Sequence, residues 1–292
     1  MGQNPIGALF SLPYAIFLVF VFLYPLGFGI YIAFHDYFFA APGAEVDRPF
    51  VGLDNFQAVL TDPKVLASFG HIGVFLVINV PLTIAAGLLL ATALNRAVRF
   101  VTAYRVAYYV PYVTASVATV TIWMFMFSSG GIVNSILGPL APDPSWLVNS
   151  VWAMPMIALY VTWKQLGFFI LLYLAALQNI PKELYESAKT DGASAWWSFR
   201  AVTWPGVRPA TALVATLAII TGANLFTEPY LLTGGGGPNG ASTTPVLLIY
   251  QEGIQQNHPG IASAIGILLV VLVLALSWIA RRATEGRHRD DR

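Results

Sequence analysis

Apolar residues run along this chain in six long blocks, at about 9–34, 71–94, 106–127, 151–174, 209–232 and 261–280, with shorter polar stretches between them. A helix needs roughly 20 mostly apolar residues to cross a bilayer, and each block is long enough. None alternates in the way a barrel strand does, and in lipid only helices and closed barrels satisfy their own backbone. The pattern therefore predicts an all-α, polytopic membrane protein with six transmembrane helices, forming one domain over 1–292. The first block is longer than a bilayer requires and contains Pro13 and Pro25, so tilt or a kink is expected. Residues 1–34 carry no charge, and the block exceeds the roughly 7–15 apolar residues of a signal peptide, so a retained helix is expected.

Composition sharpens this picture. Hydrophobic residues make up 57% of 292 positions and charged residues 10%, with a mean hydropathy of +0.68. Soluble domains carry about 25% charged residues. A net charge of +1 argues against a nucleic-acid partner. The absence of cysteine excludes disulfides and thiolate chemistry, and His35, His71, His258 and His288 are scattered without ligand spacing, so no metal site is expected.

The distribution of charge is more informative than its sum. Arg96, Arg99 and Arg105 fall in one connection, Lys182, Lys189, Arg200 and Arg208 in another, and Arg281, Arg282, Arg287, Arg289 and Arg292 in the tail. Against these stand only Arg48 and Lys64, with Lys164 inside an apolar block. Basic residues accumulate on the cytoplasmic side, so both termini and these connections are expected there.

Of the outward connections, PFVGLDNFQAVL (49–60) places Phe50, Leu53, Phe56, Val59 and Leu60 near helical spacing, which fits an amphipathic surface helix or plain loop packing. A second connection, 128–150, is rich in Gly, Pro, Asn and Ser. A third opens on the glycine run 234–237, where GGGPNG has the spacing of a nucleotide-binding fingerprint. That fingerprint needs a preceding strand and free amides; here an apolar helix precedes, and Pro238 removes one amide, so a turn is expected.

Two ionisable groups fall within apolar blocks, Lys164 in WKQLG and Glu228 in LFTEPY. Such groups face protein or a water-filled cavity, so Lys164 is either a pathway group or half of a structural ion pair. Glu228, near a block's end, is more cheaply explained by solvation. Asn224, Thr227 and Glu228 share a face by helical spacing, and Pro229 frees a carbonyl; a solute cavity or ordinary helix–helix hydrogen bonding would each use them.

The most mixed segment is ELYESAKTDGASAWWSFRAVTWPG (183–206). Asn179 is a candidate cap, Pro181 suits a first turn, and Glu183 and Glu186 suit a helix N-terminus. Asp191-Gly192 ends that helix, Ser194 can cap a second, and Pro205 marks the return to the membrane. Two short helices on a tight glycine turn make a rigid elbow suited to docking in a groove of another protein. Interfacial anchoring would explain Trp196 and Trp197 but not the acidic helix or the glycine.

This elbow resembles the signature loop of permease subunits from ATP-binding-cassette importers, E-A-A, three residues, G, nine residues, I-x-L-P. Glu186-Ser187-Ala188, Gly192 and Val202-Thr203-Trp204-Pro205 occupy that pattern, with departures at Ser187, Val202 and Trp204. LAALQNIPKELYESAKTDGAS, LLTGGGGPNGASTTPVLLIYQEG and YPLGFGIYIAFHDY with FVGLDNF are similar to the sugar-importer branch, of maltose or glycerol-3-phosphate type. The resemblance implies a type I permease fold, with the loop at about 178–208 coupling to ATPase subunits through Glu186, Ser187, Ala188, Asp191, Gly192 and Ala193. Implied partners are a second homologous permease, two ATPase subunits that bind ATP and magnesium, an extracytoplasmic solute-binding protein, membrane lipid and a sugar solute. This chain itself would hold no cofactor and perform no hydrolysis. By position, Trp163, Lys164, Gln165, Gly167 and Phe168 would line one wall of the pathway, and Gly222, Asn224 and Glu228 the other. Lys164 is also compatible with a phosphate-bearing solute. The rivals are an intramembrane enzyme, which lacks clustered catalytic groups, and a self-sufficient channel or secondary transporter, which leaves the elbow unexplained.

Overall fold

The computed structural model describes residues 5–44, 46–95 and 100–285. Arg96, Arg99, Arg287, Arg289 and Arg292, part of the charge asymmetry, lie outside the described residues, as does His288. In chain order the helices are α1 (Leu9–Ala33), α2 (Asp54–Thr61), α3 (Pro63–Leu94), α4 (Val101–Val113), α5 (Ser116–Met126), α6 (Ile132–Leu137), α7 (Ala153–Gln178), α8 (Lys182–Thr190), α9 (Ala195–Ala223), α10 (Thr227–Leu232), α11 (Pro245–Tyr250) and α12 (Pro259–Glu285). Among the described residues the only pairing of extended chain is an isolated bridge between His35 and Phe50. Among the described residues five helices are long and apolar enough to cross a membrane, and six spans result if α4 and α5 count as one bent span. The chain forms two compact units, Met1–Leu66 with Leu248–Leu269, and Ala67–Leu247 with Val270–Arg292.

In the first unit, α1 buries only 6% of its most apolar stretch, leaving its sides open. Pro25 has no N–H to offer the carbonyl one turn back. A π-turn at Val19–Leu23 precedes it, with the Tyr24 N–H bonded to the Val19 carbonyl. The end of α1 is closed by a side chain from α2: Asn55 Nδ2 donates to the carbonyls of Ala33 (2.9 Å) and His35 (3.0 Å). On α2, Val59 is buried and Leu60 exposed, as is Leu53 just before the helix. Farther along, the Asn257 amide grips the Phe39 backbone from both sides, accepting its N–H at 2.8 Å and donating to its carbonyl at 3.1 Å.

In the second unit, α7 is the central helix, packed against α4 and α9 and reached by α10, which also lies on α5. Its buried polar side chains each find a partner on a neighbour. Thr162 Oγ1 accepts from Asn79 Nδ2 of α3 at 2.7 Å. The Tyr160 hydroxyl meets Thr119 Oγ1 of α5 at 2.7 Å, and the Tyr173 hydroxyl donates to Thr211 Oγ1 of α9 at 3.2 Å. Interhelical bonds in lipid average only about 0.6 kcal/mol, so they set rotation and register more than stability. Apolar packing fills the rest, around Phe75, Trp123 and Ile157 toward one end of α7 and Leu88, Phe169 and Val214 toward the other.

Three features depart from the straight reading of the apolar blocks. The block at 106–127 bends by 97° between α4 and α5. Thr114 and Ala115 take extended torsions there, while the Thr114 N–H and hydroxyl both close on the Val110 carbonyl. The block at 209–232 breaks after Ala223, so Asn224 and Glu228 do not share one continuous helix face. Pro205, expected to mark a turn back to the membrane after a short helix, lies instead within the continuous helix α9. A π-turn at Phe199–Thr203, with the Trp204 N–H on the Phe199 carbonyl, accommodates the missing amide without a break.

Replacing Asn55 with alanine removes both donors to the end of α1, a loss of about 1 kcal/mol. Amide hydrogen exchange of the detergent-solubilised protein is expected to quicken roughly fivefold in α2 and the end of α1, with α7 unchanged.

Candidate functional site: a polar elbow and a paired charge

The elbow begins where α7 ends. Asn179 does not cap α8; its N–H bonds the Ala176 carbonyl and closes α7, and Pro181 stands at the start of α8. At the far end of α8 the Gly192 N–H reaches the Lys189 carbonyl (3.0 Å) and the Ala193 N–H the Ala188 carbonyl (2.9 Å). This pair of bonds is the Schellman closure, and it needs a left-handed residue at Gly192, whose φ is +76°. Ser194 then accepts from the Trp197 N–H at 3.4 Å and starts α9. Glu186, Ser187, Asp191 and Gly192 are exposed, and Ala188 and Ala193 half-buried, so all six predicted docking residues lie on or beside one turn.

The base of the elbow is fixed. The Tyr185 hydroxyl meets Thr203 Oγ1 at 3.0 Å, and Ile180 packs where a side chain on Gly206 would stand. Leu184, Trp196 and Trp197 are half to two-thirds exposed at 50, 66 and 60%. These apolar side chains stand open on a turn that is tied firmly below. Tyr185 and Thr203 escaped the sequence reading because only the fold brings α8 and α9 together.

Within the bundle, Lys164 Nζ of α7 lies 3.8 Å from Glu228 Oε1 of α10 and donates to Ser116 Oγ at the start of α5. At 3.8 Å the pair attracts by charge and not by a direct hydrogen bond. The Lys164 and Glu228 side chains are 13 and 15% exposed, so Glu228 is a partner for the lysine rather than a solvated end group. The Tyr160 ring centre lies 6.0 Å from Nζ. Ser116, unremarked in the sequence, becomes the third member of this junction; the one signal for it was a small polar cluster following Pro111.

The remaining predicted pathway residues divide. Trp163 is partly exposed and lines a cavity of about 360 Å³ with Tyr104, Ala107, Tyr108, Pro111 and Leu166. Its ring also lies 5.7 Å from that of Trp123. Phe168 stacks on Tyr112 at 5.2 Å. Gln165 Oε1 accepts from Thr221 on α9 at 3.5 Å, and Asn224 is exposed with its amide bonded to the Ile220 carbonyl. Gly167 and Gly222 are packing positions. A side chain at Gly167 would strike the Tyr108 carbonyl, and one at Gly222 would come 2.7 Å from Phe75.

The glycine run after α10 is a closed turn. Gly234 to Gly237 all have positive φ, the Ser242 N–H bonds the Gly236 carbonyl (2.8 Å), and Thr233 and Ser242 hydroxyls meet at 2.7 Å. In the break between α9 and α10, the Leu225 carbonyl accepts from Thr244 Oγ1 at 2.6 Å. Among the described residues no three His, Asp or Glu side chains gather in a way that could hold a metal.

The described residues thus form a helical bundle with long apolar spans, a charge pair inside it and a polar elbow between α7 and α9. Residues 80–286 match the family of binding-protein-dependent transport system inner membrane components, and the chain belongs to that family. It is 34% identical over 276 residues to the arabinooligosaccharides transport system permease protein of Bacillus subtilis, covering 93% of this chain and 86% of that one. It is also 34% identical over 292 residues to the trehalose/maltose transport system permease protein of Thermococcus litoralis, covering 99% and 96%. In fold it is similar to a chain of a bacterial ABC transporter involved in import of the acidic polysaccharide alginate, with a TM-score of 0.78 at 23% identity, covering 97% and 96%. The fold is thus that of an ABC importer permease, and the family is one of transport proteins, not enzymes.

Removing one partner from a mostly buried ion pair costs about 3–5 kcal/mol, whereas removing both charges is often near neutral. Glu228→Ala is therefore expected to lower the thermal stability of the purified protein, and Lys164→Met with Glu228→Gln to recover most of the loss. The comparison is a double-mutant cycle of unfolding curves.

Proposed function

We propose that this chain is a permease subunit of an ATP-driven importer for a sugar, an oligosaccharide or a derivative of one. The observation that carries the reading is the elbow, a docking turn fixed below and exposed above on a chain whose family is defined by dependence on a binding protein. Two ATPase subunits, which bind the ATP and magnesium, dock on Glu186 to Ala193 from the cytoplasm, where both termini lie. A second homologous permease completes the pathway, and a solute-binding protein delivers solute from the other side. Closure of the ATPases moves the elbow, and α7 and α9, joined to its base, transmit that motion to the membrane helices. Trp163, Lys164, Gln165, Phe168, Asn224 and Glu228 face the solute, with Gly167 and Gly222 permitting the helix contacts around them. Relatives named for arabinooligosaccharides and for trehalose and maltose support a sugar over glycerol-3-phosphate or its diesters.

Nothing lies within 4 Å of a side chain built on Gly192, so a substitution there acts through backbone conformation alone. A branched residue in that left-handed position costs about 1–2 kcal/mol. Gly192→Val is expected to leave membrane insertion intact and reduce ATP-dependent uptake at least tenfold, measured in vesicles containing the whole transporter. Uptake equal to wild type, or uptake without any ATPase subunit, would overturn the docking reading.

A further inference from the structure

We propose that the junction of Lys164, Glu228 and Ser116 is a charge filter that keeps the pathway selective for uncharged solutes; this rests on the pathway reading above. The junction joins three elements, with the lysine on α7, its carboxylate on α10 and its hydroxyl acceptor at the start of α5. Stability alone does not account for it. Well-packed apolar side chains in place of a buried ion pair are commonly as stable or more so, and α7 is already tied to α5 by Tyr160 and Thr119.

Its charge arrangement does have a consequence. A lone lysine deep in a bundle would attract any anion that entered, because a charge in a poorly solvated site is strongly felt. Glu228 cancels that attraction at 3.8 Å, and Ser116 occupies one of the three ammonium donors. An anionic sugar would have to displace the carboxylate and would meet its repulsion. A neutral sugar meets neither penalty and can still bond to the junction's oxygens and nitrogens. Both side chains retain 13–15% exposure, enough for an entering solute to touch. Discrimination of this kind works by an unfavourable interaction with the wrong solute as much as by attraction to the right one.

The test uses the complete transporter in detergent without its solute-binding protein, so that delivery does not select the solute. Binding of maltotriose, as an uncharged probe, and trigalacturonate, as an anionic one, is followed by calorimetry at low and high salt. The wild type is expected to bind maltotriose at least tenfold more tightly than trigalacturonate. Glu228→Gln is expected to gain tenfold or more in affinity for trigalacturonate, a gain that salt removes. Lys164→Met with Glu228→Gln is expected to lose that gain, and it keeps the test decisive if the single variant fails to assemble. Equal binding of both probes by the wild type, continued rejection of the anion by Glu228→Gln, or tight anion binding by the double variant would overturn the filter. A wild-type complex that imports its own solute yet binds neither probe would overturn the pathway reading beneath it.

Discussion

In a hydrocarbon environment each buried polar group must find its partner inside the protein, and α7 is where that constraint is concentrated. Thr162, Tyr160 and Tyr173 each face a different neighbour and bond to it. Water cannot substitute as a partner there, so rotating α7 about its axis would orphan several groups at once. The helix is therefore held in one rotation although each bond is weak. Lys164 follows from that rotation: with the tyrosines and the threonine placed, the lysine points toward Ser116 and Glu228.

The same rule explains where the backbone departs from regular helix. Pro25 and Pro205 remove amides, and π-turns just before them rearrange the hydrogen bonds. The Leu225 carbonyl lies in the break between α9 and α10, where no helical amide meets it, and Thr244 Oγ1 donates to it. The breaks at Thr114–Ala115 and after Ala223 bring the starts of α5 and α10, and hence Ser116 and Glu228, to Lys164. Irregular backbone at such places is tolerated where protein surrounds it or a cavity adjoins it, and the charged junction uses both breaks.

The elbow obeys a different logic, since α8 and the first turns of α9 lie outside the apolar blocks at 151–174 and 209–232. Its shape is set locally by the Gly192 closure and the Ser194 cap, and its position is set by Tyr185, Thr203 and the gap left at Gly206. Local shape and remote anchoring together turn a short polar connection into a rigid extension of α7 and α9. That is the mechanical property the proposed coupling to ATPase subunits requires.

Much of this is legible in the sequence alone. Hydropathy alone determined a helical bundle, because spans of about 20 apolar residues report directly on lipid. The caps and glycine of the elbow were also legible, because they act over a few neighbouring residues; Gly192 could be read so, although Asn179 was misassigned. What only the tertiary structure decided was partnership. Sequence named Lys164 and Glu228 as the two ionisable groups in apolar blocks, but their positions are 64 residues apart and nothing local joins them. Gly167 and Gly222, expected along the pathway, each stand where another element comes close, and a glycine's sequence neighbours do not reveal what packs against it. Helix ends, bends and ion pairs depend on which element comes close, and proximity is a property of the folded chain.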